Sequence, residues 1–455
     1  MSKQQTPAQN EPFDDAFGAG DEGLAVPSRR LSRLARIGGL GASVAGNMLV
    51  DGAKKVARGE RPAIGDLLLT PTNAQKVADQ LSQLRGAAMK VGQLMSMDGG
   101  DFMPPELADI LARLRQSAHA MPPAQLKTVL DRNWGRGWLR NFKSFDVKPI
   151  AAASIGQVHR AQTKDGRDLA VKVQYPGVRQ SIESDVDNVA TLVRVAGLLP
   201  EGVDIKPLLE EAKRQLQEEA DYEREGAHLA RFRELLSDSD DFLLPERYDD
   251  LTTTDVLAMS YVGGAPIETL FDAPQEKRDH VVSLLIDLLL RELFEFRLMQ
   301  TDPNFANYFY DEPTGRIVLL DFGATREIPS ALSDGYKTLM ATRLSEDWEK
   351  ARSAAADMGL IGGDSHGEEI EWMLGELFDV AMEPVCHDGP FDFGDTDLAL
   401  RMRDKGVALR TGGFVHVPPP TTVFFHRKFA GAYLLAAKLR ARVDVGAMVR
   451  RHLSV

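Results

Sequence analysis

Residues 317–323 read Ile-Val-Leu-Leu-Asp-Phe-Gly: four apolar side chains run into an aspartate, an aromatic ring and a glycine. The run predicts a buried strand, and a buried strand that ends on a carboxylate needs a partner for the charge, because an isolated ionised group is costly to remove from water. A metal ion would meet that need. Nineteen residues upstream lies Asp302, in Gln300-Thr301-Asp302-Pro303-Asn304-Phe305-Ala306-Asn307, with Asp302 and Asn307 five apart. A hairpin over 307–321, turned at Pro313-Thr314-Gly315, would carry Asn307 back beside Asp321. Two oxygen ligands would then meet, which suits Mg2+, a hard cation that keeps several waters and leans on substrate phosphates. The plainer reading of the upstream stretch is a surface loop with an Asn turn. The order of the two motifs, with a connecting hairpin between them, favours the metal site.

The spacing of Asp302 and Asn307, followed by Asp321-Phe322-Gly323, is the arrangement in which kinase catalytic loops hold a base and a metal. Such a site also needs a cation for the phosphates. Lys172 lies in Ala170-Val171-Lys172-Val173, where alternation places it opposite Leu169, Val171 and Val173. It is either an exposed edge-strand lysine or one with an acidic partner. The partner candidate is on Glu218-Glu219-Ala220-Asp221-Tyr222-Glu223-Arg224-Glu225, read as one acidic helix. A lysine-to-helix glutamate pair positions the lysine on the α- and β-phosphates. On a single helix Glu219 and Glu225 point roughly 120° apart, so one can reach the lysine while the other faces a different element. A solvated acidic face is the bland alternative. The loop before Lys172, Ile150-Ala151-Ala152-Ala153-Ser154-Ile155-Gly156-Gln157-Val158, sits where a phosphate-covering loop would be. It carries alanines where glycines are expected, and alanine resists positive φ and adds a methyl where backbone must approach phosphate. No G-x-x-x-x-G-K-[ST] stretch occurs, which argues against a P-loop nucleotidase.

The chain has 455 residues, 43% of them hydrophobic, enough for two or three domains. A formal net charge of -13 argues against nucleic acid as a partner. The single cysteine, Cys386, excludes a disulfide framework and a thiolate metal site within one chain, and fits a reducing compartment. No apolar run follows the first Met, so a secretory leader is not expected, and no apolar window reaches the length a transmembrane helix needs.

Residues 1–28 read as a disordered tail rich in Gln, Pro, Gly and acids. From 29 to 58 the sign of the charge reverses: Arg29, Arg30, Arg33, Arg36, Lys54, Lys55 and Arg58 interleave with Leu31, Leu34, Ile37 and Leu40. This segment fits a helix packed on its own domain or one lying on an anionic membrane surface. Residues 72–118 read as helical, capped at Thr72-Asn73, with a second helix after Pro104-Pro105. Within them Met89-Lys90-Val91-Gly92-Gln93 puts Lys90 and Gln93 on one face and leaves Gly92 for a close backbone contact. Beyond about residue 143 the period becomes two, with a hairpin at Asp165-Gly166, and helical patterns resume over 177–236. A strand over 256–262 ends at Gly263-Gly264, a hinge. After 266 the chain reads as helix except for the 307–321 hairpin, and ends in a tail with Arg440, Arg442, Arg450 and Arg451.

Together these residues resemble the UbiB/AarF/ADCK family of atypical protein-kinase-like proteins, over roughly residues 30–430. Lys90-Val91-Gly92-Gln93 matches the KxGQ signature, Ala151-Ala152-Ala153-Ser154 the alanine-rich loop, and Glu219-Ala220-Asp221 the ExD motif. Glu225 stands at the lysine-pairing glutamate, and Gln300 where many relatives have His. The resemblance implies an α+β, atypical protein-kinase-like two-lobe fold with a helical N-terminal extension. Its parts would be the tail (1–28), the KxGQ extension (29–118), a small β-containing N-lobe (119–264) and a helical C-lobe (265–455).

The resemblance further implies a Mg-ATP-binding atypical kinase or ATPase, linked to ubiquinone biosynthesis and poor at phosphorylating proteins in trans. The implied catalytic residues are Asp302, Lys172 and Glu225, with Asn307 and Asp321 on Mg2+. ATP would lie against Ala151, Ala152, Ala153, Ser154, Ile155, Gly156, Lys172, Met259 and Tyr261. Lys90, Gln93, Glu219 and Asp221 would gate the cleft. Anionic membrane lipids and quinone-biosynthesis intermediates or enzymes are the expected partners, and a homodimer is admitted. The expected location is cytoplasmic, peripheral on the inner face of the membrane. The alternatives are a kinase of a small-molecule or lipid acceptor and a nucleotide-switched scaffold for quinone-synthesis enzymes.

Overall fold

The computed structural model describes Leu81 and residues 84–97, 120–195, 205–345, 347–360, 368–411 and 420–453. The expected tail, the basic 29–58 segment, most of the 72–118 helices and the side chain of Gln93 lie outside the described residues. The chain divides into two compact units: residues up to Gly226 with Glu246–Tyr261, and Ala227–Pro245 with Val262–Val455.

In the first unit, helices α1 (Arg85–Met97) and α2 (Pro123–Trp134) precede strands β1 (Phe142–Phe145), β2 (Gly156–Thr163) and β3 (Asp168–Gln174). Helices α3 (Val178–Val195) and α4 (Lys206–Glu219) follow, α5 (Tyr222–Leu235) belongs to this unit only up to Gly226, and β4 (Val256–Ser260) completes the sheet. The strand order is β1-β2-β3-β4, all antiparallel, with Ala151–Ala152 added along β2. Lys172 therefore sits on a central strand, between Val158 and Leu257, and the edge-strand reading is overturned. Leu169, Val171 and Val173 pack with Leu126, Val129, Leu130, Trp138, Phe142 and Phe145 on one face, as alternation requires. A second core joins α1, α3 and α4 through Leu84, Ala88, Val91, Val186, Val189, Ala212 and Leu216.

The predicted single acidic helix over 218–225 is two helices. α4 ends at Glu219, Ala220 caps it, and α5 starts at Tyr222. The break is held because the backbone groups left over there find partners. The Ala220 carbonyl accepts from Gln174 Nε2 (2.8 Å) and Arg179 Nη2 (2.6 Å), and the Tyr222 N–H donates to the Thr254 carbonyl (3.1 Å). Asp221 accepts from the Arg224 N–H at 3.1 Å as the N-cap of α5. The angular argument for Glu219 and Glu225 thus fails, yet the break itself separates their directions.

In the second unit, α6 (Gln275–Arg291) buries Val281, Val282, Leu285, Ile286 and Leu288–Leu290, as its apolar run demands. It continues as one π-turn, Glu292–Phe296. Strands β5 (Leu298–Gln300), β6 (Tyr308–Asp311), β7 (Arg316–Leu319) and β8 (Thr325–Glu327) follow. The expected hairpin is β6-β7, with Leu319 opposite Tyr308. Four further pairings lie outside the predicted strands: β5 with β8, Phe242–Leu243 with β7, Ala265–Pro266 with β6, and Phe391–Asp392 with Arg442–Val443. These strands have two to four residues, too short for period-two alternation to register. The rest is helical: α7 (Ser330–Ser345), α8 (Trp348–Asp357), α9 (Glu368–Cys386), α10 (Leu398–Thr411), α11 (Pro420–Lys438) and α12 (Val445–Leu453). Tail arginines enter ion pairs, Arg442 with Asp392 (2.8 Å) and Arg451 with Asp287 (3.4 Å). Among the described residues no helix is long and apolar enough to cross a membrane.

Candidate active site

The predicted site residues fall into two groups, one in each unit. In the first, Lys172 Nζ donates to both oxygens of Glu225, at 2.8 and 2.9 Å, and stands 5.0 Å from the centre of the Tyr222 ring. Lys172 is 8% exposed and Glu225 2%, so this is a buried pair. Burying two charges costs several kcal/mol per ion and is tolerable only with such geometry. The pair fixes the ammonium at the middle of the sheet.

Lys90, on α1, forms an ion pair with Glu219. The other Glu219 oxygen accepts from Ser154 Oγ at 3.1 Å. One carboxylate thus ties α1 to the alanine-rich loop. The close approach is made by Gly86, where a Cβ would meet Ile155 Cγ2 at 2.9 Å and the Ser154 carbonyl at 3.1 Å. Gly92, singled out from the sequence, is buried. Ala151, Ala152 and Ser154 are exposed and Ala153 is half-buried, so these four can face a ligand. Ile155 and Gly156 are buried; the Ile155 side chain belongs to the core, and its carbonyl accepts from the Tyr175 N–H (2.9 Å). Ile155 therefore anchors the loop. Met259 is buried in β4, and the Tyr261 ring carries the Arg160 guanidinium 3.6 Å above its centre.

In the second unit, residues 301–307 link β5 to β6. Asn307 Nδ2 donates to Asp302 Oδ2 at 3.0 Å. Asn304 accepts from the Ala306 N–H (3.2 Å) and caps a 3-10 turn, Phe305–Asn307. Thr301 is tied twice to the Ala324 carbonyl, by its N–H (3.2 Å) and its Oγ1 (2.7 Å). The Leu320 N–H donates to the Asn307 carbonyl at 3.2 Å, so the hairpin register brings Asp321 next to Asn307. Asp321 Oδ1 accepts from the Gly323 N–H (2.9 Å), and the Phe322 ring is buried 4.9 Å from that of Phe232.

The donor set of this loop is two carboxylates, Asp302 and Asp321, and one amide, Asn307. These are hard oxygen donors, too few to wrap a cation fully, and such a set fits Mg2+. Among the described residues, no three His, Cys, Asp or Glu side chains form a metal cage.

Sequence reasoning missed a second buried cluster behind this loop. Lys428, on α11, donates to Gln300 Oε1 (3.0 Å) and Tyr308 Oη (2.6 Å), and lies 3.8 Å from Glu292. Glu292 Oε1 also accepts from the Gln300 N–H at 3.3 Å. Burial pushes Glu292 up to about 7, against the pull of Lys428 and of the Gln300 N–H. Lys428 offered no sequence signal, standing beside another cation, Arg427, in Phe425-His426-Arg427-Lys428-Phe429.

A central-strand lysine paired to a helix glutamate, and an Asp-x4-Asn loop leading through a hairpin to Asp-Phe-Gly, define a protein-kinase-like protein of α+β fold. The chain matches the ABC1 atypical kinase-like domain over residues 113–355. It is 37% identical over 428 residues to the atypical kinase COQ8B, mitochondrial, of Danio rerio, covering 92% of this chain and 67% of that one. It is 36% identical over 428 residues to the atypical kinase COQ8, mitochondrial, of Saccharomyces cerevisiae, covering 92% and 84%. A solved Mycobacterium tuberculosis structure, Rv3197 with erythromycin, matches at a TM-score of 0.58 and 25% identity, covering 83% of this chain and 95% of that one. The chain belongs to the ABC1 atypical kinase-like family, the UbiB/Coq8 group that its motifs resemble.

Proposed function

We propose that the protein is a Mg-ATP-dependent atypical kinase or ATPase that supports ubiquinone biosynthesis at a membrane surface. The observation that carries this reading is the loop in which Asn307 bonds Asp302 while the hairpin register brings Asp321 alongside. Asn307 and Asp321 would hold Mg2+, which when bound neutralises developing phosphate charge. Lys172, fixed by Glu225, binds the α- and β-phosphates. Asp302 accepts the proton of the attacking hydroxyl or water, and its bond from the Asn307 amide orients the carboxylate for that task. Phosphoryl transfer is mostly positioning and charge stabilisation, and buried pairs supply both.

The membrane and quinone parts of the reading rest on kinship with the COQ8 proteins and on the basic 29–58 segment of the sequence. The Lys90–Glu219–Ser154 tie favours a second element: α1 clasps the alanine-rich loop, so ligands that loosen the tie would control nucleotide access. The deciding experiment is steady-state ATP hydrolysis with Mg2+, with and without anionic liposomes, in wild type, Asp321→Asn and Lys90→Ala. Hydrolysis that rises with liposomes and vanishes in Asp321→Asn supports the reading. A melting temperature that rises with nucleotide, without hydrolysis, moves it to a nucleotide-switched scaffold.

A further inference from the structure

The loop of residues 301–307 is short, mostly irregular and carries two site residues, so something must fix its position. Helix α11 touches it at three places. Lys428 Nζ bonds both stems at once: Gln300, the last residue of β5, and Tyr308, the first of β6. Three residues on, a Cβ at Gly431 would run into the Pro303 ring, so the helix backbone lies directly against the loop. Farther along, Lys438 Nζ sits 5.1 Å from the centre of the Phe305 ring. Positions 428, 431 and 438 fall within roughly 80° of one another around a helix, so one face makes all three contacts.

Lys428 is 5% exposed. A buried lysine is a poor way to gain stability, since an apolar side chain of similar volume often does as well or better. What an apolar side chain cannot do is donate to two acceptors on opposite stems of a loop. Burial alone would lower the Lys428 pKa, but the Glu292 and Asp302 carboxylates and the hydrogen bond to the Tyr308 hydroxyl outweigh it and raise it, so the side chain stays a cation.

We infer that α11 is a brace for the catalytic loop, with Lys428 a positioning residue that holds Asp302 and Asn307 in register by clamping Gln300 to Tyr308. The inference rests on the reading of that loop as the catalytic one. It predicts that the two stems part when the clamp is lost, while the phosphate-binding pair Lys172–Glu225 is untouched.

The test uses the full chain as wild type, Lys428→Met and Tyr308→Phe; the last removes one hydroxyl and guards against a misfolded first variant. Amide hydrogen exchange is followed over residues 301–307 and, as a control, over β2 and β3. Mg-ATP hydrolysis is measured on the same samples. In Lys428→Met, exchange at 301–307 should rise about tenfold or more with the control strands unchanged, the local opening expected of a lost tether. Its kcat should fall about 30-fold while KM for ATP moves by less than about threefold, the mark of lost positioning over lost binding. Tyr308→Phe should show the same pattern more weakly. A purely structural lysine would lower the melting temperature and raise exchange in α6 and α11 alike, leaving kcat per folded molecule unchanged; that result overturns the inference. Should wild type show neither hydrolysis nor a Mg-ATP-dependent rise in melting temperature, the ATPase reading fails. The exchange data then decide alone: a rise confined to 301–307 upholds the brace, and unchanged exchange there overturns it.

Discussion

Each unit buries a lysine close to a glutamate, Lys172 beside Glu225 and Lys428 near Glu292, and these two pairs are built in opposite ways. Lys172 spends its hydrogen bonds on the carboxylate itself, reaching both Glu225 oxygens at 2.8 and 2.9 Å. Lys428 spends its hydrogen bonds on two neutral acceptors and stands 3.8 Å from Glu292. At an effective dielectric of about 20, the gross attraction drops from about 6 to about 4 kcal/mol between those separations. The difference shows in the acids. Burial drives Glu292 up to about 7, and among the described residues its Oε2 has no hydrogen-bond partner. The first pair is an ion pair that fixes a charge. The second is a cation whose work lies with its neutral partners, with the acid as a loosely matched neighbour.

The largest expected effect breaks the first pair. Glu225→Gln leaves Lys172 buried without a full counter-charge, which should cost about 3–5 kcal/mol in urea unfolding, near the value for removing one member of a buried pair. The double variant Lys172→Met, Glu225→Leu should recover most of that stability, because an apolar pair of similar volume replaces both charges, yet lose nucleotide binding. If Glu225→Gln melts like wild type, the pair is not the tight one that the geometry shows.

The same contrast explains what could be read in advance. The Lys172–Glu225 pair was legible because a lysine inside Ala170-Val171-Lys172-Val173 is anomalous and an acid-rich stretch lies nearby in sequence. The 307–321 hairpin was legible from its turn and its apolar flanks. The break at Ala220 was not, because it is stabilised by Gln174 and Arg179, which are distant in sequence and act through a single carbonyl. Nor was the role of α11. Lys428 sits more than a hundred residues from Gln300 and Tyr308, and tertiary packing alone makes it a clamp. The sequence reads as a ligand surface along the whole alanine-rich loop, whereas the Ile155 side chain packs into the core and Gly156 is buried. Alternation along the chain separates faces but does not say where a strand begins to be covered.

A second, smaller effect tests how the first unit treats charge that has no counter-ion. His159 is fully buried in β2, and its neighbours fix its tautomer. The Asp146 carbonyl can only accept, so His159 Nδ1 carries the proton (2.8 Å); Gln157 Nε2 then donates to His159 Nε2 (2.8 Å), and Gln157 Oε1 accepts from the Met121 N–H (2.8 Å). Burial lowers the His159 pKa to about 4, against the raising effect of its bond to Asp146. The unfolded chain binds a proton near 6.5 and the folded one only near 4, so stability is full above about pH 6.5 and falls as pH drops towards 4. Between pH 7 and 5 the loss should be about 2 kcal/mol in urea unfolding. A His159→Gln variant should lose that slope. If its slope matches wild type, the ring does not sit neutral in the sheet.

The effect that is smallest at pH 5 sharpens the comparison most, because it sets Glu292 directly against Glu225. Glu292→Gln keeps the acceptor for the Gln300 N–H and removes only the charge. The folded pKa of about 7 lies above the ordinary carboxylate value of 4.5, so the folded protein binds the extra proton more tightly than the unfolded chain does. The carboxyl therefore favours folding below about pH 4.5, and that advantage is lost as pH rises to about 7. Glutamine carries no such penalty. At pH 5, where Glu292 is mostly protonated, Glu292→Gln should unfold within about 1 kcal/mol of wild type, as expected when a hydrogen-bonding shape is conserved. Between pH 5 and 8 the variant should gain on wild type, the reverse of Glu225→Gln, which should stay costly throughout. A Glu292→Gln variant that loses ground as pH rises would mean that Lys428 relies on the Glu292 charge after all, and the two pairs would then be alike in kind.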